Sequence, residues 1–242
     1  ATLSADDALA ARGVRISALV PNRKGLASAM AAGVRDVAVF PAASETFSRR
    51  NLNMSVDDAL QAAGDVCAEA LGAGMRVRGY VSTAFGCPYE GDICVAQVVR
   101  VCESLLAHGV FELAISDTIG IAHPGQVRAT MRTLTQALPI ETLALHFHDT
   151  RGTALANVLA ALDLGIATFD ASAGGLGGCP FAPGALGNLA TEDLLYMLQG
   201  LGLARAVDLA AIVAASAAIE PAIGHDVPSR YHRAVRATIR QA

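Results

Sequence analysis

The chain predicts a single α/β domain of the TIM (β/α)8 barrel class, with the first one or two βα units missing from its 242 residues and helices at its C-terminal end. Three observations lead there. Six apolar runs rich in β-branched residues alternate with stretches of helical spacing, and no Pro/Ser-rich break divides them; that alternation is the pattern of a parallel sheet. The composition is 53% hydrophobic but only 5% aromatic, with no tryptophan, as expected of strands buried on both faces under helices. Polar residues recur at the ends of successive strands, where a barrel carries its chemistry. An open doubly wound sheet would gather them at one switch point, and no G-x-G-x-x-G follows an early strand.

Taken in order, residues 1–13 read as the tail of a helix. Strands are expected at 14–20, 36–40, 76–82, 112–116, 142–147 and 167–171. The helix predicted over 56–73 has Ser55 as its N-cap and Asp58 in its first turn. Helices at 93–108, 124–137 and 153–164 share its spacing, and Pro124 opens the second of these. Residues 194–201, 207–219 and 229–239 read as helices, so 203–242 is a helical extension of one domain spanning 1–242. A closed barrel needs eight strands, and six are legible. The two absent units are expected to lie ahead of the first residue.

The totals exclude several classes. A net charge of −4 leaves no electrostatic footprint for nucleic acid. The five cysteines (67, 87, 94, 102 and 179) are an odd number without C-x-x-C spacing, which argues for a reducing compartment rather than a disulfide framework. Cys67, Cys94 and Cys102 fall on predicted helices and read as packing. No charge-free apolar run approaches the roughly 20 residues of a membrane span. The expectation is a cytoplasmic protein, and the arginine-rich style, with Lys24 as the one lysine, points to a high-GC bacterial source.

The most informative stretch is His146-Phe147-His148-Asp149-Thr150-Arg151-Gly152. Two histidines two residues apart on a strand point to the same side, and at a strand end such a pair chelates a divalent metal better than it packs in an apolar core. Downstream, Gly174-Gly175-Leu176-Gly177-Gly178-Cys179-Pro180 places a thiol on a glycine-rich loop, and Asn188 follows nine residues later. Cys179 is the candidate acid/base, with buried small hydrophobe as its bland alternative. Asp117, at the end of the fourth strand, either accepts a substrate hydroxyl proton, orients a metal-bound water, or caps a turn. Tyr80, within the third strand, faces either the substrate or the helix layer. Asn188 is either a ligand or the cap of a helix starting near 191.

At these residues the sequence resembles the 3-hydroxy-3-methylglutaryl-CoA lyase family of metal-dependent TIM-barrel enzymes. The resemblance runs over most of the chain, through Leu19-Val20-Pro21-Asn22, Arg78-Gly79-Tyr80-Val81-Ser82, Gly86-Cys87-Pro88-Tyr89-Glu90-Gly91, Ser116-Asp117-Thr118-Ile119-Gly120 and the Gly-Leu-Gly-Gly-Cys-Pro signature. It implies cleavage of a 3-hydroxy-3-methylglutaryl-CoA-like thioester to acetyl-CoA and a keto acid. It also implies Mg²⁺ or Mn²⁺ held by His146, His148 and Asn188, with Zn²⁺ or Co²⁺ compatible with the same ligands. Arg50 and Asn51, read as loop residues after the second strand, would bind the CoA moiety of the acyl-CoA substrate. A homo-oligomer, specifically a dimer, is expected, with neither nucleic acid nor membrane as partner. The family's first-strand Arg-Asp-Gly motif has no match: Arg35-Asp36 runs on into Val37. Two alternatives therefore stand beside the lyase. One is an enzyme for a different 3-hydroxy-3-alkylglutaryl-CoA or a related acyl-CoA aldolase or synthase. The other is a catalytically inactive metal-binding barrel.

Overall fold

The computed structural model describes residues 3, 6–178 and 187–239. Its centre is a parallel six-stranded sheet: β1 (Ser17–Leu19), β2 (Asp36–Val39), β3 (Arg76–Val81), β4 (Glu112–Asp117), β5 (Leu143–Phe147) and β6 (Thr168–Asp170), hydrogen-bonded in sequence order. The helices are α1 (Asp7–Ala11), α2 (Arg23–Ala31), α3 (Glu45–Leu52), α4 (Val56–Gly72), α5 (Val95–Ala107), α6 (Pro124–Ala137) and α7 (Ala154–Leu162), then α8 (Thr191–Gly200), α9 (Leu209–Ile223) and α10 (Arg230–Ile239). All six expected strands are present. Strictly consecutive parallel order, with a helix between neighbours, is the arrangement of a barrel wall. In the described residues the wall is an arc of six strands with β1 and β6 at its margins.

Alternation within each strand divides the arc into two faces. In β3 the side chains of Val77 and Val81 are fully buried, whereas Arg78 and Tyr80 are half-buried. The buried set meets the helices. Leu105 of α5, Leu113 of β4 and Val110 stand 3.0–3.2 Å from where a Cβ on Gly79 would sit, so the glycine is what lets α5 approach the strand so closely. The main core lies between sheet and helices and includes the fully buried Leu105, Leu113, Ile115, Met131, Leu134 and Leu145. Each such side chain is worth about 1.5–3 kcal/mol relative to exposure.

Local signals explain most boundaries. Ser55 caps α4 by accepting from the Asp58 N–H at 3.0 Å, and Pro124 occupies the first turn of α6. Two helices were not read from the sequence, and one corrects an expectation: Arg50 and Asn51 lie not in a loop but in the last turn of α3. Ser44 caps that helix by accepting from the Phe47 N–H at 3.0 Å, and Asn53 ends it in the left-handed region at φ 57°. Caps at both ends stabilise two turns that are too short to show a period. The other, α2, is capped by Asn22, which accepts from the Gly25 N–H. Of the cysteines read as packing, Cys67 and Cys102 are buried, but Cys94 is exposed at the N-cap of α5. Among the described residues no helix is long and apolar enough to cross a membrane.

Candidate active site

Parallel strands bring all their C-terminal ends to one rim, and a cavity of about 370 Å³ opens there. It is lined from successive strand ends by Leu19, Phe40, Tyr80 with Ser82, Ser116 with Thr118, and His146 with His148, while Asn51 reaches it from α3. Register makes this possible: Tyr80 pairs with Ala114, and Ser116 with His146, so these side chains share the face away from the helices. Tyr80 therefore faces the cavity rather than the helix layer. Its ring meets that of His146 edge-on with centroids 5.8 Å apart. Burial, then the charge of Asp170, push its phenol up to about 12, so it stays protonated.

The two histidines lie side by side, with ring centroids 5.3 Å apart. Beyond β5 the chain 187–189 runs antiparallel to 147–149: the Leu189 N–H donates to the Phe147 carbonyl and the Asp149 N–H to the Gly187 carbonyl, both at 3.1 Å. This bridge sets Asn188 directly opposite His148. The helix N-cap is Ala190, not Asn188. The Asn188 amide is fixed at one end, where Nδ2 donates to the Leu176 carbonyl at 2.9 Å. Gly177, at φ 100°, leaves room for that amide; a Cβ there would lie 2.6 Å from it.

The other end of the amide is without a partner. Asn188 Oδ1 and His148 Nδ1 are both buried and unbonded, although buried polar atoms are almost always satisfied. Burial and the neighbouring His146 pull the His148 pKa down to about 4, so the ring is neutral at pH 7, the form in which imidazole binds metal. Two imidazoles and an amide oxygen suit a divalent cation. Among the described residues no group of three or more His, Cys, Asp or Glu side chains is placed to hold a metal ion. Two histidines and an asparagine are the residues here that would hold one.

Asp117 is placed differently. It pairs with Phe147 rather than His146, so its side chain lies on the helix face of the sheet. Its two oxygens accept the Ile121 and Ala122 N–H groups at 3.0 Å each. Burial nonetheless raises its pKa to about 6. Asp117 thus caps the β4–α6 turn that carries Thr118, and Thr118 in turn accepts from the Thr83 N–H at 2.7 Å on the cavity rim. Arg50 is exposed and stacks over the Tyr89 ring at 4.1 Å. Cys179 lies outside the described residues.

Sequence reasoning passed over Arg78, Glu112 and Asp170. Arg78 donates to Glu112 at 2.6 Å and to both oxygens of Asp170 at 2.8 and 3.0 Å, and Asp170 lies 3.2 Å from His146 Nδ1. The signal was available: these charged residues sit at alternate positions of strands that were otherwise read as buried on both faces.

Fold and site together define an α/β protein whose parallel six-stranded half-barrel sheet carries a polar, histidine-bearing cavity at the C-terminal ends of its strands. The HMGL-like family model matches residues 7–219. The chain is 48% identical over 219 residues to the hydroxymethylglutaryl-CoA lyase YngG of Bacillus subtilis, covering 90% of this chain and 73% of that protein. The solved hydroxymethylglutaryl-CoA lyase of Pseudomonas aeruginosa superposes with a TM-score of 0.91 at 46% identity, over 93% of this chain and 75% of that one. An HMG-CoA lyase of Acinetobacter baumannii, solved with coenzyme A and 3-methylmalate, superposes at 0.86 with 38% identity, over 91% of this chain and 72% of that one. The chain belongs to the HMG-CoA lyase family.

Proposed function

We propose that this protein is a carbon–carbon lyase that cleaves 3-hydroxy-3-methylglutaryl-CoA to acetyl-CoA and acetoacetate. The observation that carries the reading is the pair His146 and His148 on one cavity with Asn188 set opposite His148, His148 Nδ1 and Asn188 Oδ1 both buried and unpaired, in a chain 48% identical to a hydroxymethylglutaryl-CoA lyase. These three residues would hold a divalent cation, Mg²⁺ or Mn²⁺. When bound, it would act as a Lewis acid on the substrate's tertiary hydroxyl and orient the substrate.

The reaction passes the hydroxyl proton to solvent water, breaks the bond between C2 and C3, turns C3 into the ketone of acetoacetate, and leaves the enolate of acetyl-CoA to be protonated at carbon. Cys179 supplies that proton from the glycine-rich loop, a general-acid contribution of about 10²–10⁴-fold. Tyr80, protonated and beside His146, donates a hydrogen bond to the substrate. Asp117 acts at one remove, by holding the turn that presents Thr118. Asn51, on the cavity rim, and Arg50, on the same helical turn, bind the CoA moiety. The protein works as a cytoplasmic bacterial homo-dimer.

Purified full-length protein is expected to release acetoacetate and acetyl-CoA in equal amounts from the methyl substrate. Faster turnover of a longer 3-hydroxy-3-alkylglutaryl-CoA would reassign the substrate, and no turnover of either would sink the lyase reading.

A further inference from the structure

The His146 ring is held on the side of its Nδ1. That nitrogen lies 3.2 Å from Oδ2 of Asp170, the last residue of β6, which the sheet register places directly across from His146. Both Asp170 oxygens accept from Nη1 of Arg78 at 2.8 and 3.0 Å. The same nitrogen donates to the Tyr80 hydroxyl at 2.7 Å, and Arg78 Nε donates to Glu112 at 2.6 Å. The side chains of Arg78, Glu112 and Asp170 are only 15–19% exposed. A charged chain thus crosses the concave face from β4 through β3 to β6 and ends on the β5 histidine.

The chemistry of this contact is directional. An ionised carboxylate can only accept, so Nδ1 of His146 must carry the hydrogen and Nε2 the lone pair. Two hydrogen bonds from the Arg78 guanidinium, one to each oxygen, favour the ionised form of Asp170. His148 has no such support at Nδ1, which is buried and unpaired. The two rings therefore differ in how they are held.

We propose that Asp170 is the positioning residue of His146: by accepting from Nδ1 it fixes the ring's tautomer and orientation and reserves Nε2 for the metal, while Arg78 keeps Asp170 in place. Carboxylate partners of ligating histidines act in this way, and their loss typically weakens metal binding 10–100-fold. The inference rests on the metal site proposed above. With every oxygen already engaged by Arg78 or His146, Asp170 acts through the ring rather than as a ligand.

Two readouts test this without turnover. Side-chain ¹H–¹⁵N correlation spectra of metal-free protein report which ring nitrogen of His146 is protonated, and a Mn²⁺ titration followed by electron paramagnetic resonance reports affinity. Wild type is expected to show protonated Nδ1. Asp170→Ala is expected to lose that signature and to bind Mn²⁺ about 10–100-fold more weakly, with an unchanged circular dichroism spectrum. Asp170→Asn keeps an acceptor, so it retains the tautomer and loses less than tenfold in affinity; it also carries the test if the alanine variant does not fold. Wild-type affinity in Asp170→Ala overturns the proposal. So does a loss of affinity with the His146 tautomer unchanged, or a loss beyond 100-fold in Asp170→Asn. Wild-type protein that binds no Mn²⁺ overturns the metal site itself, a result distinct from a site that binds equally well without Asp170.

Discussion

Replacing Glu192 sets two opposing effects against each other at the joint between the glycine-rich loop and the C-terminal helices. Glu192 is fully buried in the first turn of α8. Its two oxygens accept the Gly174 N–H at 3.0 and 2.9 Å, and Oε1 also accepts from the Ser216 hydroxyl of α9. One carboxylate thus joins α8, the 3-10 turn Ala173–Gly175 and α9. Glu192→Gln keeps the shape and can keep both contacts, its Oε1 accepting from Gly174 and its Nε2 donating to Ser216. What it loses is charge assistance. Hydrogen bonds to a charged group contribute about 1.5–3 kcal/mol and neutral ones about 0.5–1.5, so two bonds lose about 2 kcal/mol. Against this stands the relief of a buried charge, which can reverse the sign. The charge lies at a helix N-terminus, where the dipole favours it, so the first effect wins. For a chain of this size, 2 kcal/mol is about 4–8 °C in Tm. Glu192→Ala leaves an unpaired N–H and a cavity and is expected to cost about 4–5 kcal/mol. Urea unfolding and thermal melts of both variants decide the matter. A Glu192→Gln protein as stable as wild type would refute the reasoning, because desolvation would then outweigh the contacts.

Other substitutions probe separate parts of the account. Asp117 is raised by burial from 3.8 to about 6, so the folded state holds its proton more tightly than the unfolded chain does. Stability from this group is full below pH 3.8 and is lost as pH rises through about 6, a change of about 3 kcal/mol at 1.36 kcal/mol per unit. Urea unfolding at pH 4 and pH 7.5 should show that loss in wild type and not in Asp117→Asn, and parallel profiles would contradict it. Gly79→Ala puts a Cβ 3.0 Å from Leu105 and 3.2 Å from Leu113 and Val110; overpacking should cost about 1–3 kcal/mol, and an unchanged urea midpoint would show that α5 can move away. Asn188→Ala removes the unpaired Oδ1 and is expected to lower Mn²⁺ affinity at least tenfold in a titration, whereas unchanged affinity would remove Asn188 from the ligand set.

Strands β2, β4 and β5 were legible because burial on two faces leaves apolar runs, and the caps because Ser55 and Pro124 act locally. The start of β1 was not: Val14 and Ile16 flank Arg15 in a strand-like alternation, yet the register with β2 covers only Ser17–Leu19, because pairing needs a neighbour along the whole length. Helix α3 escaped because eight residues give no period, although Ser44 and Asn53 marked both of its ends. In the site, the histidine pair could be read from spacing alone, since period 2 fixes a common side. That Tyr80 faces the same cavity could not, because its side depends on register across β3, β4 and β5. The alternative roles of Asp117 likewise depend on that register, which puts its carboxylate on the helix side. Asp170 lies 24 residues from His146 in the chain, and their meeting is a property of strand pairing rather than of any local motif.

The most direct test of the central claim is acetoacetate release from 3-hydroxy-3-methylglutaryl-CoA by full-length protein, measured with Mn²⁺, after chelation, and for Cys179→Ala. The account predicts turnover that chelation abolishes and added Mn²⁺ restores, with Cys179→Ala slower by about 10²–10⁴-fold while binding Mn²⁺ as tightly as wild type. Turnover that survives chelation, or that is unchanged without the thiol, would contradict it.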